Sequence, residues 1–110
     1  MNKDRLYLES IRDCLERVAV YTAAGEQAFL TSRLIQDEVI RNLEVIGEAT
    51  KNLSTELRDA NPSIPWRQIA GMRDVLIHDY LKVNLVRVWR TVITDLTQLR
   101  DTIPIILSDA

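Results

Sequence analysis

The chain has little of what punctuates or cross-links a fold: its 110 residues hold three glycines, three prolines, one cysteine and one histidine. So few glycines and prolines disfavour a turn-rich β architecture and favour helices. A single cysteine, Cys14, cannot form an internal disulfide, and it falls among apolar residues at helical spacing, as a small core or interface residue would. With one cysteine and one histidine, a zinc site of the usual ligand type is excluded, while a carboxylate-held magnesium stays open but has no motif behind it. No metal and no cofactor are therefore expected. Purely apolar runs extend only a few residues, so no segment reads as a membrane span. The N-terminus, Met1-Asn2-Lys3-Asp4-Arg5, lacks the apolar stretch and cleavage site of a signal peptide, which makes the cytoplasm the expected location.

What is present is ordinary for a globular protein, with 46% hydrophobic and 27% charged residues. The length suits one domain, spanning residues 1–110, with a modest core that self-association would help to stabilise. Net charge is −2, but it is unevenly spread: residues 1–61 carry 8 basic and 11 acidic side chains, and residues 62–100 carry 6 and 3. In that basic third, Arg67, Arg73, Lys82, Arg87 and Arg90 are candidates to meet phosphates, or are simply scattered solvated charges.

Apolar residues recur at intervals of three and four from Asp4 to about Thr22, through Tyr7, Leu8, Ile11, Leu15, Val18 and Tyr21, which predicts an amphipathic helix. Gly25 suits the left-handed conformation that follows a helix end. A second helix, capped by Thr31 or Ser32, is expected to run to about Leu53 with Ile35, Val39, Leu43, Ile46, Thr50 and Leu53 inward. Its stripe is wide enough for two neighbours or for another subunit. Gly47 lies inside it, explained either by close approach of another helix or by chance. A weaker helical stretch, Thr55 to Ala60, precedes the turn Asn61-Pro62-Ser63-Ile64-Pro65, whose last proline suits the first turn of a third helix. There Trp66, Ile69, Met72 or Arg73, Leu76 and Tyr80 keep a helical repeat. Asn84 is placed to cap a fourth helix with the stripe Leu85, Val88, Val92, Leu96, Leu99 and Ile103, which Pro104 is expected to end or kink. The fold class is all-α, an antiparallel bundle of about four to five helices.

The stretch Arg73-Asp74-Val75-Leu76-Ile77-His78-Asp79-Tyr80 gathers the chemistry. A guanidinium matches phosphate oxygens and stays charged, and an imidazole can move a proton near neutral pH. Together they suffice for metal-free RNA cleavage, with the ribose 2′-oxygen attacking the adjacent phosphate. On a straight helix, however, residues 73 and 78 point about 140° apart. The helix must end or bend near His78, or a second subunit must complete the site.

Arg73-x4-His78-x-Tyr80 resembles the Arg-x4-His-x-Tyr signature of HEPN domains of the HepT-like, or DUF86, family. Ile46-Gly47-Glu48-Ala49, Pro65-Trp66, Ala70-Gly71-Met72-Arg73 and Val88-Trp89 also look like that family, so the likeness covers nearly the whole chain. It implies a helical HEPN homodimer whose Arg-His pairs meet in an interface cleft, acting as a metal-independent ribonuclease toxin in a HEPN/MNT toxin-antitoxin system. It further implies a partner, a minimal nucleotidyltransferase antitoxin (MntA), that transfers AMP to the motif tyrosine, with higher assembly between the two also open. By matching position Arg73 and His78 are then catalytic and Tyr80 is the modification acceptor.

Many HEPN motifs have asparagine after the arginine; here it is Asp74, whose charge is unhelpful unless it pairs with Arg73 or His78 and orients them. Glu48 either lines the same cleft or is a solvated charge. Tyr80 also fits a half-buried aromatic with its hydroxyl at the surface, and both roles are compatible. Trp66 and Trp89 are expected as core or interface anchors. Two rivals to a ribonuclease stand beside it: a non-catalytic helical subunit that docks a nucleotidyltransferase or its substrate, and a purely structural helical dimer.

Overall fold

The apolar stripe between Tyr7 and Tyr21 lies on one unbroken helix, α1 (Asp4–Thr22), in a computed structural model of the chain. The structure describes residues 3–78 and 84–109, apart from the side chains of Val75, Ile77, His78 and Asp109. Leu8, Ile11, Cys14, Leu15 and Val18 are buried, with Tyr7 and Tyr21 half-buried against them. Burial pushes the Cys14 thiol up from its ordinary value while Arg17 draws it partly back, so the thiol is a packing group rather than a nucleophile. Asp4 is buried, and its carboxylate accepts from the Ser54 amide at 2.8 Å and the Ser54 hydroxyl at 2.6 Å. This ties the start of α1 to residues 50 positions away.

Gly25 separates α1 from the short α2 (Glu26–Thr31) with φ +94°, a conformation that favours glycine because it has no Cβ. Ser32 then caps α3 (Arg33–Lys51), its hydroxyl accepting from the Ile35 amide at 3.3 Å. Val39, Leu43, Ile46 and Thr50 are buried along α3, and the wide stripe has the two neighbours it calls for. One is α1; the other is α5 (Trp66–His78). Between them lies α4 (Thr55–Ala60), capped by Ser54, which accepts from the Leu57 amide. Trp66 is buried, its indole N–H donating to the Asn61 carbonyl at 2.9 Å. Pro65 stands one position before α5 rather than inside its first turn, its carbonyl accepting from the Ile69 amide.

The C-terminal third departs from the single long helix expected after Asn84. Asn84 does cap α6 (Leu85–Ile93), accepting from the Arg87 amide, but the helix breaks at Thr94 and restarts as α7 (Asp95–Asp109). Thr91-Val92-Ile93-Thr94 are all β-branched, which lowers helix propensity at that point. Pro104 neither ends nor breaks α7; it lies inside it, on the exposed side. The Arg100 carbonyl it leaves without a helical donor belongs to an exposed residue, so water can satisfy it. Leu96, Leu99, Ile103 and Leu107 still face inward, and α7 packs on α1. Phe29 of α2 meets Trp89 of α6 with ring centroids 5.5 Å apart.

All regular structure among the described residues is helical. The four long stretches read from sequence are there, with α2 and α4 as short connectors and the last stretch split in two. No described helix is long and apolar enough to cross a membrane.

Candidate functional site

The site begins with the absence of a side chain. At Gly47, α5 comes so close to α3 that a Cβ there would lie 3.1 Å from the Arg73 Cβ, 3.1 Å from the Ile69 carbonyl oxygen and 3.2 Å from the Arg73 amide. Close approach, rather than chance, therefore accounts for this glycine. It seats the backbone of Arg73 directly against α3, beside Glu48 and one turn from Lys51.

Three ion pairs follow from that placement. Arg73 Nε lies 3.2 Å from Glu48 Oε2, and Arg73 Nη1 lies 3.8 Å from Asp74 Oδ1. Lys51 Nζ donates to both Asp74 oxygens, at 3.4 Å and 3.3 Å. The side chains of Glu48, Lys51, Arg73 and Asp74 are 52%, 41%, 38% and 50% exposed, so each pair contributes at most about 1 kcal/mol to stability. Their value is orientation. Glu48 takes the inner N–H of the guanidinium fork and leaves the partly exposed remainder within reach of a phosphate.

Of the residues singled out in the sequence, the structure brings together Arg73, Asp74 and Glu48. Glu48 is about half exposed and ion-pairs with Arg73 across the α3–α5 contact. Asp74 does pair, but chiefly with Lys51. α5 runs without interruption through His78, so no bend separates residues 73 and 78, and their positions remain about 140° apart around the axis. The His78 side chain, Tyr80 and Lys82 lie outside the described residues.

Lys51 is the member of the group that sequence reasoning missed. Its signal was the Glu48-x2-Lys51 spacing, which puts opposite charges one turn apart on the same helix. Of the other basic candidates, Arg67 is exposed on α5, and Arg87 and Arg90 are exposed on α6, lining a shallow groove with Asn84, Thr91 and Thr94. Trp66 and Trp89 serve packing, as expected. Among the described residues no group of three His, Cys, Asp or Glu side chains is placed to hold a metal ion.

The model of the family described as "Ribonuclease HepT-like" matches residues 11–106. A protein of Methanocaldococcus jannaschii named "Gamma-glutamylcyclotransferase and putative RNase" is 43% identical over 105 residues, covering 94% of this chain and 47% of that protein. A "Putative RNase" of Caldanaerobacter subterraneus subsp. tengcongensis is 36% identical over 108 residues, covering 97% and 96%. A "Probable ribonuclease HepT" of Thermococcus cleftensis is 41% identical over 95 residues, covering 86% of each chain. The chain thus spans about half of the first relative and most of the other two. No solved structure matches it.

Proposed function

The chain belongs to the Ribonuclease HepT-like family, and from that premise we propose that it is a metal-independent endoribonuclease toxin of a HEPN/MNT toxin-antitoxin pair. The observation that carries the reading is Arg73, seated by Gly47 and held at Nε by Glu48 on a helix that continues unbroken to His78. Arg73 binds the scissile phosphate and stabilises the charge that develops on it. His78 takes the proton of the ribose 2′-hydroxyl as the 2′-oxygen bonds to phosphorus. The bond from phosphorus to the 5′-oxygen breaks, and that oxygen takes a proton from water as it leaves, while His78 gives the proton it took back to solvent. The products are a 2′,3′-cyclic phosphate and a 5′-hydroxyl.

The protein should cleave single-stranded RNA in the presence of EDTA, leave the all-deoxy equivalent intact, and lose at least about 100-fold in rate as His78→Ala. Undiminished cutting by that variant would remove His78 from the mechanism.

Two copies complete the site in this reading, because residues 73 and 78 of one α5 diverge. A minimal nucleotidyltransferase antitoxin silences it by transferring AMP to Tyr80, adding an anionic group to the motif that obstructs and repels RNA. Co-expression with such an enzyme should add one or more adenylyl masses to the peptide carrying Tyr80, and Tyr80→Phe should abolish the adduct. Neutralisation with no adduct on that tyrosine would mean inhibition by binding alone.

One observation favours a second reading, a non-catalytic subunit that docks the transferase: Arg73 already has two carboxylates within 4 Å, at Glu48 and Asp74. The His78→Ala comparison separates the two.

A further inference from the structure

The geometry around Arg73 points to a positioning residue outside the Arg-x4-His-x-Tyr motif: Lys51, which by holding the Asp74 carboxylate keeps Arg73 available to an RNA phosphate. This rests on the RNA-binding reading above and adds to it a reason why an acidic residue directly after the arginine is tolerated.

Asp74 has two cations near it, and they are not equivalent. Lys51 Nζ lies 3.4 Å and 3.3 Å from its two oxygens, whereas Arg73 Nη1 lies 3.8 Å from one of them. Arg73 meanwhile has its closer contact, 3.2 Å, with Glu48. Each carboxylate thus has a principal cation of its own, and α3 contributes one partner to each of two adjacent residues on α5. Removing Lys51 leaves Arg73 as the remaining cation of Asp74's two ion pairs, with its Nη1 already within reach. Asp74 then turns onto a guanidinium that Glu48 also engages. The group changes from charge-balanced to net −1 within a Debye length of about 8 Å of an approaching phosphate, and RNA is repelled where it should be bound.

Two other roles for Lys51 give different results. A lysine that itself contacts phosphate is not replaced by removing Asp74, and a lysine that only stabilises the fold affects RNA in proportion to unfolded protein. The test measures affinity for a fluorescent 2′-O-methyl RNA, which cannot undergo 2′-oxygen attack, over a range of salt concentrations, with cleavage of ordinary RNA alongside. Thermal melts of wild type, Lys51→Met, Lys51→Arg and Lys51→Met/Asp74→Asn accompany both.

The expected result is about five-fold weaker binding for Lys51→Met, the size of one partly screened charge interaction. Lys51→Arg should recover it, and Lys51→Met/Asp74→Asn should return to within about two-fold of wild type with the same salt dependence. Cleavage should follow the same order. A double variant that stays weak, with a salt slope shallower by about 0.7, assigns Lys51 to direct phosphate contact and overturns the proposal. So does unchanged binding by Lys51→Met at low salt, or a loss that merely tracks a lowered melting temperature. If wild type binds RNA without cutting it, the catalytic reading fails while the affinity pattern still decides Lys51. If wild type does not bind RNA at all, both are overturned.

Discussion

At the scale of single residues, Gly47 and Gly71 make a matched pair. Both sit inside helices, where alanine is ordinarily worth about 1 kcal/mol over glycine. At Gly71 an added Cβ meets nothing within 4 Å, so Gly71→Ala should raise stability by up to about 1 kcal/mol. At Gly47 it meets the Ile69 carbonyl, the Arg73 amide and the Arg73 Cβ at 3.1–3.2 Å, atoms fixed to the α5 backbone that cannot rotate aside. Overpacking of this kind costs about 1–3 kcal/mol, enough to cancel the propensity gain and turn it into a loss. Gly47→Ala should therefore melt below wild type and Gly47→Val lower still. Since two of the three crowded atoms belong to Arg73, RNA affinity should fall as they are displaced. Denaturation and RNA titration of the two alanine variants check this. A Gly47→Ala protein that is more stable than wild type and binds RNA equally well contradicts the account.

At the scale of elements, periodicity was most informative where one face of a helix meets the core. The repeat from Tyr7 to Tyr21 predicts a helix from Asp4 to about Thr22, which is α1, and the wide stripe of α3 meets two neighbours, α1 and α5. The caps Ser32 and Asn84 were legible for the same local reason, since each side chain answers an amide three residues on. The break at Thr94 was not, because the inward stripe continues from Val88 to Leu96 and Leu99 across it. Only the run of β-branched residues marks it. Pro104 misled in the opposite sense, since the rule that proline ends a helix assumes that the freed carbonyl has no substitute donor. On the outer face of α7 that carbonyl belongs to an exposed residue, so water can supply one. At the site, the motif announced Arg73, and Glu48 stood out as a charge beside Gly47. Lys51 was hidden because its meaning depends on Asp74, 23 residues away on a different helix.

At the scale of the whole molecule, an unbroken α5 poses a problem for the proposed RNA site that a dimer can solve. Residues 73 and 78 differ by about 140° around one helix axis, so a phosphate held by Arg73 is poorly placed for the His78 of the same chain. A two-fold dimer removes the difficulty if Arg73 of one copy faces His78 of the other, because the symmetry then generates two identical composite sites. Subunit complementation tests this arrangement. Arg73→Ala and His78→Ala are each expected to be inactive as homodimers. In a mixed dimer, one composite site keeps both groups, arginine from the His78→Ala copy and histidine from the Arg73→Ala copy. Mixing the two in equal amounts under exchange should restore about a quarter of the wild-type rate, since about half the dimers are mixed and each has one intact site of two. A site contained within one chain gives no recovery at any ratio. Native mass spectrometry of the same samples, which resolves the mixed dimer by its mass, distinguishes a failure to exchange subunits from a failure of the composite site. Recovery that rises with the mixed-dimer fraction would explain why a helix that separates its two motif residues can nevertheless present them to one phosphate.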